Sequence, residues 1–424
     1  MNNERLRYWQ LRVFILCWLA YSCIYFGRVN LSIALPYIEN SFQLSRTEVG
    51  LIGSLFFWIY GIGQLTNGYI GDRLSGRFMV FTGLIVTAIS NILFGFSNNY
   101  YLMLVLWGVN GYFQSMLWGP MAKTLSNWYP QSKMNGVVVA ISTSMIAGYS
   151  LSWSISGNII SHFSWRWVFI IPGLIILLYS FIWLTKTADN PKDAGFEITD
   201  NIIEHSSDIK EEELNKEYSG ISLLSFINKT KLWLIVVACF AQGIIKEGVG
   251  LWTPTFVMET HNIDIVSTGF AISIIPFINL AGMLFAGWLN KQFKYKEKIT
   301  IISLFAFGIA MLAGLITFGR LGLTWALLFL SLSSGAMYGV NVLLIGLIPM
   351  KYAKYNKVSS VAGFLDFCSY IATGIAASLT GLIVEYFGWF GVMFTWMLIA
   401  MAGIISLIIS WRIDEKENKL NLWI

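Results

Sequence analysis

The sequence predicts an all-α membrane protein with twelve transmembrane helices in two pseudo-symmetric six-helix bundles, with both termini in the cytoplasm. Three observations predict this fold class: the composition, a series of long apolar segments, and a repeat that relates the two halves. Of the 424 residues, 56% are hydrophobic and 12% are charged, and the mean hydropathy is +0.64. Soluble chains carry roughly 25% charged residues, so the composition excludes an ordinary soluble domain.

Apolar segments of roughly 18 to 25 residues recur along the whole chain, each long enough to cross about 30 Å of hydrocarbon. Segments this long and this apolar satisfy their own backbone hydrogen bonds in lipid only as helices. The first has no small-residue cleavage site, so we interpret it as a retained span. The predicted spans are 12–36, 48–71, 78–98, 100–122, 136–160, 166–185, 232–257, 266–289, 299–318, 322–348, 358–383 and 388–411.

Lysine and arginine residues distinguish the two sides of the membrane. With both termini in the cytoplasm, 23 of the 28 basic residues fall in inside segments, and only Arg46, Arg166 and Arg320 fall in outside loops. This asymmetry follows the positive-inside rule and requires an even number of spans. The net charge of +5 is therefore mostly a consequence of topology. Basic residues scattered over short loops also exclude a nucleic-acid-binding face.

One long polar segment divides the spans into six and six. It contains ten of the 23 acidic residues, and a segment this polar cannot bury enough apolar area to fold alone. The predicted organisation is an N-terminal bundle at 1–186, a cytoplasmic linker at 187–230, and a C-terminal bundle with a short cytoplasmic tail at 231–424.

The two halves share a pattern of residues. Arg28 precedes Pro36 by eight positions, and Lys246 precedes Pro254 by eight. Three glycines of the second span recur with the same spacings of 13 and 5 in the eighth span: Gly50, Gly63 and Gly68, then Gly269, Gly282 and Gly287. Small residues let transmembrane helices approach closely, so we expect these glycines to pack helices. Related halves are typical of secondary transporters with a substrate site near the midplane.

Four ionisable residues lie deep in predicted spans: Arg28, Lys246, Glu247 and Asp366. A charge at the bilayer centre costs on the order of 3 kcal/mol, so such residues are functional candidates by default. A pseudo-two-fold axis would bring Arg28 and Lys246 to opposite sides of one cavity, where an anion would relieve their repulsion. Glu247 and Asp366 are candidates for carrying protons, with structural ion pairs as the alternative. Neighbouring helical residues point about 100° apart, so Lys246 and Glu247 need not neutralise each other.

Tyrosines accompany the deep charges. Tyr21, Tyr25 and Arg28 share one helix face through their i, i+4, i+7 spacing. Tyr60, Tyr338 and Tyr370 fall near the middle of other spans. A buried tyrosine hydroxyl needs a hydrogen-bond partner, so these residues are candidates for shaping a pocket for a small polar ligand. Ordinary core packing is the alternative for each of them.

The sequence contains no pattern typical of a metal site, a disulfide or a catalytic centre. The cysteines Cys17, Cys23, Cys239 and Cys368 lack metal-ligand or disulfide spacing, and the three histidines are isolated. The sequence has no glycine-rich phosphate-binding loop of the Walker type and no catalytic nucleophile motif. We therefore expect no metal, no cofactor and no enzymatic activity.

The loop after the second span reads Gly68-Tyr69-Ile70-Gly71-Asp72-Arg73-Leu74-Ser75-Gly76-Arg77. It resembles the signature loop of the major facilitator superfamily. In that family the acid and the basic residues pair across the cytoplasmic end of the bundle. The resemblance implies the major facilitator fold and a cytoplasmic gate formed by Asp72, Arg73 and Arg77.

Nearly the whole chain resembles the organophosphate:phosphate antiporters of this superfamily, which exchange glycerol 3-phosphate or hexose phosphates for phosphate. The resemblance is carried by Tyr25–Tyr37, Leu251–Thr255, Ala362–Phe364 leading into Tyr370, and Glu385–Trp389. It implies that Arg28 and Lys246 occupy the positions of two phosphate-binding arginines, the second being lysine here. It also implies a cavity lined by Tyr21, Tyr25, Tyr60, Trp118, Tyr338 and Tyr370, with Gln64 in place of a lysine of the family.

These residues predict a secondary active transporter of a small anionic metabolite, working by alternating access in the bacterial inner membrane. Relative to the organophosphate antiporters, Gln64 replaces a cation, and Glu247 and Asp366 are additional acids. A monoanionic or zwitterionic substrate is therefore an alternative to a dianionic phosphate. The alternatives are a proton-coupled symporter of a carboxylate, since the first span also resembles the anion:cation symporters, and a transporter-like sensor of sugar phosphate. In those symporters an acid occupies the position of Gln114. The expected partners are the substrate, phosphate or a proton as coupling species, and lipid, with the chain monomeric.

Overall fold

The computed structural model describes residues 2–71, 74–196, 223–352 and 358–421, and every regular element within these ranges is a helix. Nine helices among the described residues are long and apolar enough to cross a membrane. The all-helical prediction is confirmed, whereas the number of twelve spans stays a prediction.

Seven α-helices form the first part of the chain. They are α1 (Asn2–Phe42), α2 (Arg46–Gly71), α3 (Gly76–Phe96), α4 (Tyr100–Gln114), α5 (Trp118–Trp128), α6 (Gln131–His162) and α7 (Trp167–Lys186). A single 3-10 turn, Pro191–Ala194, follows α7.

Seven more helices follow in the second part of the chain. They are α8 (Leu223–Lys229), α9 (Trp233–His261), α10 (Ile265–Ile272), α11 (Ile275–Gln292), α12 (Glu297–Phe318), α13 (Leu323–Asn341) and α14 (Val358–Asn421). A π-helical turn, Val342–Leu347, extends α13 into a short helical turn at Ile348–Met350.

Helix boundaries differ from the predicted spans in three places. The predicted span 100–122 is interrupted between α4 and α5, where Leu117 N–H bonds to the Gln114 carbonyl at i−3 instead of i−4. Pro120 has no N–H to give to the carbonyl four residues earlier, which favours a break at this point.

The predicted span 266–289 is divided between α10 and α11, where Ser273 N–H bonds to the Phe270 carbonyl at i−3. The last two predicted spans both lie in α14 and meet at a kink at Gly388, whose φ of +63° is left-handed.

Within the described residues the chain forms two compact units. Unit 1 takes its residues from 1–44, 51–207 and 264–276, and unit 2 takes its residues from 45–50, 208–263 and 277–424. Each unit thus contains a short segment from the opposite half of the sequence. The domain boundaries at 186/187 and 230/231 stay a prediction.

The repeated glycines pack helices, as predicted, at two of their three positions. A Cβ on Gly50 would lie 2.6 Å from the Ala377 carbonyl oxygen, and one on Gly269 would meet the Trp153 carbonyl. The second pair behaves alike, with Gly63 against Ser115 and Gly282 against Gly335. At the third position the interpretation is wrong for Gly287, where a Cβ would meet nothing within 4 Å.

Candidate functional site

In unit 1 the Arg28 guanidinium lies among aromatic rings. Its Cζ is 4.9 Å from the ring centroid of Phe56, 5.1 Å from Tyr60, 5.5 Å from Phe57 and 5.9 Å from Tyr25. A cation within about 6 Å of a ring face is attracted by its quadrupole, at about 0.5–2 kcal/mol depending on desolvation. The aromatic surroundings stabilise the cation in this half-buried position.

The other predicted residues of the first half join the same cluster. The Gln64 side-chain amide donates to the Tyr60 hydroxyl at 2.9 Å. The Tyr21 ring lies 5.3 Å from Tyr25 and 5.2 Å from Trp118, measured between centroids. The cluster also contains Phe56, Phe57 and Tyr149. Nothing in the sequence distinguishes these three, because aromatic residues are frequent throughout the spans.

Three buried amides fix the backbone beneath Arg28. Asn91 and Asn110 each donate to the Gly27 carbonyl oxygen at 3.1 Å, and Gln114 donates to it at 3.3 Å. These donors come from α3 and α4, so the carbonyl next to Arg28 is held by two neighbouring helices. Buried polar groups are costly unless they are bonded, and this network anchors the segment of α1 that presents Arg28.

Sequence reasoning missed Asn91 and Asn110 as positioning residues. A signal was present, because each is a strongly polar residue in the middle of a predicted span. Gly27 completes the arrangement, since a Cβ there would lie 2.7 Å from Ile176 Cδ1 and 3.3 Å from Asn91 Nδ2. Glycine lets α1 approach α3 and α7 closely at this position.

In unit 2 the Lys246 ammonium is buried between a carboxylate and two tyrosines. Its Nζ lies 3.2 Å from Glu247 Oε1, 5.5 Å from the Tyr338 ring centroid and 5.9 Å from that of Tyr370. Lys246 is 8% exposed and Glu247 is 6% exposed. The two neighbours form an ion pair, the alternative left open by the sequence: both side chains are long enough to bend towards each other, and a buried charge without a counter-charge is expensive.

Close helix packing surrounds Lys246. A Cβ on Gly243 would lie 2.7 Å from the Ser369 carbonyl oxygen of α14, and one on Gly248 would lie 2.8 Å from Trp396 Cζ2. The Ser369 hydroxyl donates to Gln242 Oε1 at 3.4 Å. These two glycines, three positions before and two after Lys246, let α9 lie directly against α14.

The remaining candidates are placed less centrally or lie outside the described residues. Asp366 is half-buried on α14, one helical turn before Tyr370. Asp72 and Arg73 lie outside the described residues. Arg77 donates its main-chain N–H to Asp189 at 2.7 Å and its Nε–H to the Leu184 carbonyl at 2.6 Å. The cytoplasmic gate therefore stays a prediction.

Asp189 organises this end of unit 1, although the sequence did not single it out. It accepts a hydrogen bond from the Ser75 hydroxyl at 2.5 Å in addition to the Arg77 N–H. Its carboxylate thus satisfies a free N–H at the start of α3, where a negative charge is favourable. The first residues of the predicted linker are thereby fixed to the N-terminal helices.

Metal chemistry has no visible basis in the described part of the chain. No group of three or more His, Cys, Asp or Glu side chains that could hold a metal ion occurs there. All four cysteines are free thiols.

Comparison with protein-family models decides the classification. Residues 17–377 match the model of the Major Facilitator Superfamily. The chain belongs to this superfamily. It is a multi-pass protein of the cell membrane, and the match includes the segments that carry Arg28 and Lys246.

Curated relatives place the chain near organophosphate transporters. It is 27% identical over 428 residues to the probable hexose phosphate transport protein of Chlamydia muridarum, covering 98% of this chain and 94% of the relative. It is 25% identical over 415 residues to the membrane sensor protein UhpC of Salmonella typhimurium, covering 96% and 92%. The predicted resemblance to organophosphate transporters is confirmed.

Solved structures agree on the fold. A D-xylose-proton symporter superposes with a TM-score of 0.72 at 14% identity, covering 95% of this chain and 97% of the symporter. At this identity the likeness shows the fold alone, which is that of major facilitator transporters.

Proposed function

We propose that this protein is a secondary active transporter that moves a small organophosphate, of the hexose phosphate class, by alternating access. The observation that carries the proposal is a pair of cations at equivalent positions of the repeat, Arg28 and Lys246, each lying against aromatic rings. Cations in apolar helices are retained at a cost, and a phosphate ester offers several anionic oxygens that both cations can bind. The name of the Chlamydia relative supports the same substrate class.

The proposal includes the finer topology predicted from the sequence. It has twelve spans, both termini in the cytoplasm and a monomeric chain, because this arrangement places 23 of the 28 basic residues inside. Asp72, Arg73 and Arg77 form its cytoplasmic gate.

The proposed substrate contacts divide between the two units. Arg28 offers a planar fork to the phosphoryl oxygens, and Lys246 offers a point charge. Tyr25 and Tyr60 shape the pocket in unit 1, with Tyr21, Gln64 and Trp118 lining it. Tyr338 and Tyr370 shape the pocket in unit 2. That both cations bind one anion follows from the repeat and is part of the proposal.

Exchange in reconstituted vesicles tests the proposal. Vesicles preloaded with phosphate should take up labelled hexose 6-phosphate, and vesicles without internal phosphate should not. Arg28→Gln should abolish uptake, whereas Lys291→Gln, which removes an exposed charge at the end of α11, should leave it unchanged. Full uptake by the Arg28 variant would refute the proposed role of this cation.

A proton-coupled symporter of a carboxylate is the first alternative. Its coupling acids would be Glu247 and Asp366. One observation opposes it: Gln114, in the position of the symporter acid, donates hydrogen bonds to the Ile24 and Gly27 carbonyls at 3.3 Å, which an ionised carboxylate cannot do. Uptake driven by an imposed pH gradient, with no internal phosphate, would favour this alternative.

A sensor of sugar phosphate is the second alternative, and the similarity to the membrane sensor protein supports it. A sensor would bind hexose 6-phosphate in detergent solution but would show no exchange in vesicles. Saturable binding together with phosphate-dependent flux would rule it out.

A further inference from the structure

The acid beside Lys246 has no equivalent in the other half of the chain. The repeat aligns Arg28 with Lys246, and it therefore aligns Val29 with Glu247. Val29 is 5% exposed and Glu247 is 6% exposed, so a buried apolar side chain in one half corresponds to a buried carboxylate in the other. This carboxylate lies directly on the cation proposed to bind substrate.

We infer that Glu247 is a resident anion on Lys246 that makes the site prefer a ligand group with one negative charge over one with two. The inference rests on the proposed function and names its substrate class more closely.

The argument follows from the charges around Lys246. With Glu247 Oε1 at 3.2 Å, the lysine is already neutralised before a ligand arrives. A ligand oxygen that approaches Nζ must displace or share the carboxylate, and like charges brought together in a low-dielectric site repel strongly. A second negative charge on the ligand adds to this repulsion, whereas a single charge can replace that of Glu247 on Lys246.

The neighbouring helices leave the pair little freedom. Lys246 and Glu247 are both buried, and the tyrosines contributed by α13 and α14, Tyr338 and Tyr370, lie over the ammonium. Gly243 and Gly248 hold α9 against α14 at this level. Glu247 is 6% exposed, so its charge stays close to a group bound at Lys246.

Comparing the binding of two ligands of the same shape distinguishes the effect of ligand charge from the effect of ligand size. Hexose 6-sulfate carries one negative charge at any ordinary pH, and hexose 6-phosphate carries about two at pH 8, because the second proton of a phosphate monoester is lost near pH 6. Binding is measured with the full-length protein in detergent. We expect wild type to bind the sulfate at least as tightly as the phosphate at pH 8.

Glu247→Gln should reverse this preference by about tenfold in favour of the phosphate, about 1.4 kcal/mol. Glu259→Gln is the matched control, because it removes an acid from the same helix, where Glu259 forms an exposed ion pair with Arg46 at 2.7 Å. The ratio of the two affinities should not change in the control. An unchanged ratio in the Glu247 variant would overturn the inference.

The pH dependence of ligand affinity in wild type tests the inference even if the Glu247 variant does not fold. Between pH 8 and pH 5.5 the phosphate ligand becomes a monoanion, so its affinity should rise about tenfold while that for the sulfate stays level. The affinity for the sulfate as a function of pH controls for titration of the protein itself. Other titratable groups on the helices packed against α9 include Tyr338, Tyr370 and Asp366. Parallel curves would overturn the inference, whereas failure to bind either ligand would refute the proposed function itself.

A second inference concerns a separate cavity in unit 2. It has a volume of about 430 Å³ and lies where α9 and α12 end and α14 is interrupted at Gly388. Its lining combines Arg320, His261 and Thr260 with aromatic rings. Pockets of about 300–1,000 Å³ with a few polar groups among apolar ones are typical ligand sites.

The polar groups of this cavity are available to a ligand. Arg320 is exposed and makes no hydrogen bond or ion pair with any other described residue, and the His261 ring nitrogens make none either. The indole N–H of Trp389, which also lines the cavity, is used on Glu259 at 2.9 Å. Because Glu259 also pairs with Arg46, the charge of this neighbouring acid is compensated, and the cavity favours an anion.

We infer that this cavity binds the head group of an anionic phospholipid. Phe387 and Phe390 line it and are 73% and 55% exposed, so apolar rings lie exposed beside its polar groups. Arg320 would hold the phosphate, and the rings would contact the start of the acyl chains. The ends of two long apolar helices place the site at the depth of the head groups.

Thermal unfolding of the full chain in mixed micelles tests this site. Phosphatidylglycerol should raise the melting temperature of wild type and of Lys291→Gln by several degrees relative to phosphatidylcholine, and should raise that of Arg320→Gln by less than half as much. An equal rise in the Arg320 variant, or no rise in wild type, would overturn the inference. So would an equal Arg320-dependent rise from glycerol 1-phosphate, which would assign the site to soluble phosphate esters.

Discussion

The two cations of the repeat are surrounded differently. Arg28 in unit 1 lies against four aromatic rings, and amides from α3 and α4 hold the backbone before it. Lys246 in unit 2 lies against two tyrosines and an acid from its own helix. An approximate repeat therefore conserves the placement of positive charge while its surroundings diverge.

The difference teaches how each unit stabilises a charge in an apolar helix. In unit 1 aromatic ring faces lie around the guanidinium, and amides from two helices hold the backbone before it. Unit 2 uses a counter-ion, so the charge of the ammonium is balanced until a ligand competes with Glu247. Four predictions, ordered from the largest expected effect to the smallest, test this contrast.

Removing the lysine alone should destabilise unit 2 strongly. Lys246→Gln removes the cation 3.2 Å from the buried Glu247 carboxylate and should lower the free energy of unfolding by about 3–5 kcal/mol. The double variant Lys246→Gln/Glu247→Gln should recover most of this loss, because no charge then stays buried. Thermal unfolding in detergent measures both, and a single variant as stable as wild type would show that the pair is not the counter-ion arrangement described above.

Changing Arg28 to lysine keeps the charge but removes the fork. Because a lysine binds phosphate as a point charge and stacks less well on rings, uptake of hexose 6-phosphate should fall about tenfold or more. The reverse change, Lys246→Arg, should have a smaller effect, since that side already works with a point charge. Equal losses in the two variants would remove the distinction between the sites.

Truncating Asn110 should loosen the backbone under Arg28. Asn110→Ala removes the donor to the Gly27 carbonyl and the acceptor for Gln114, at a cost of about 1–2 kcal/mol in stability. The Michaelis constant for uptake should rise, because Arg28 is held less firmly. Asn158→Ala, which loses only a bond to the Ser154 carbonyl of its own helix, is the control and should leave the constant unchanged.

The smallest effect is expected from the Tyr60 hydroxyl. Tyr60→Phe removes the acceptor of the Gln64 amide but keeps the ring beside Arg28, so we expect about 0.5–1.5 kcal/mol in stability and a change of a few-fold in substrate affinity. Tyr60→Leu, which also removes the ring face, should cost more in affinity. If the two variants bind substrate equally, the ring contributes nothing to the site.

Much of the site could be predicted because charge is rare in this sequence. Arg28 and Lys246 stand out in apolar segments, and their equal distances from Pro36 and Pro254 relate them to each other. Helical spacing alone placed Tyr21 and Tyr25 beside Arg28, and the structure brings them together with Trp118.

Other features depend on tertiary contacts that spacing does not reveal. The amides that bind the Gly27 carbonyl come from different helices, and no pattern within one helix shows that they converge. The pairing of Lys246 with Glu247 stayed one of two alternatives, because the 100° angle describes where side chains leave the helix. It does not describe where long flexible side chains end in a medium that penalises separated charges.

The break between α4 and α5 was missed for a related reason. Ser115 lies at this break, where its hydroxyl accepts from Asn67 Nδ2 at 2.7 Å and donates to the Tyr112 carbonyl at 2.6 Å. Pro120 lies in the predicted span, but transmembrane helices tolerate proline where neighbours satisfy the freed backbone groups, so its presence did not locate the break.

The central claim is that both cations bind the anionic group of the substrate. Titration of hexose 6-phosphate into the purified full-length protein tests it most directly, with wild type, Arg28→Gln, the double variant Lys246→Gln/Glu247→Gln, and Lys291→Gln as the charge-matched control. We predict that the first two variants lose at least about a hundredfold in affinity, about 2.7 kcal/mol, while the control binds as wild type does. Wild-type affinity in either the Arg28 variant or the double variant would contradict the account.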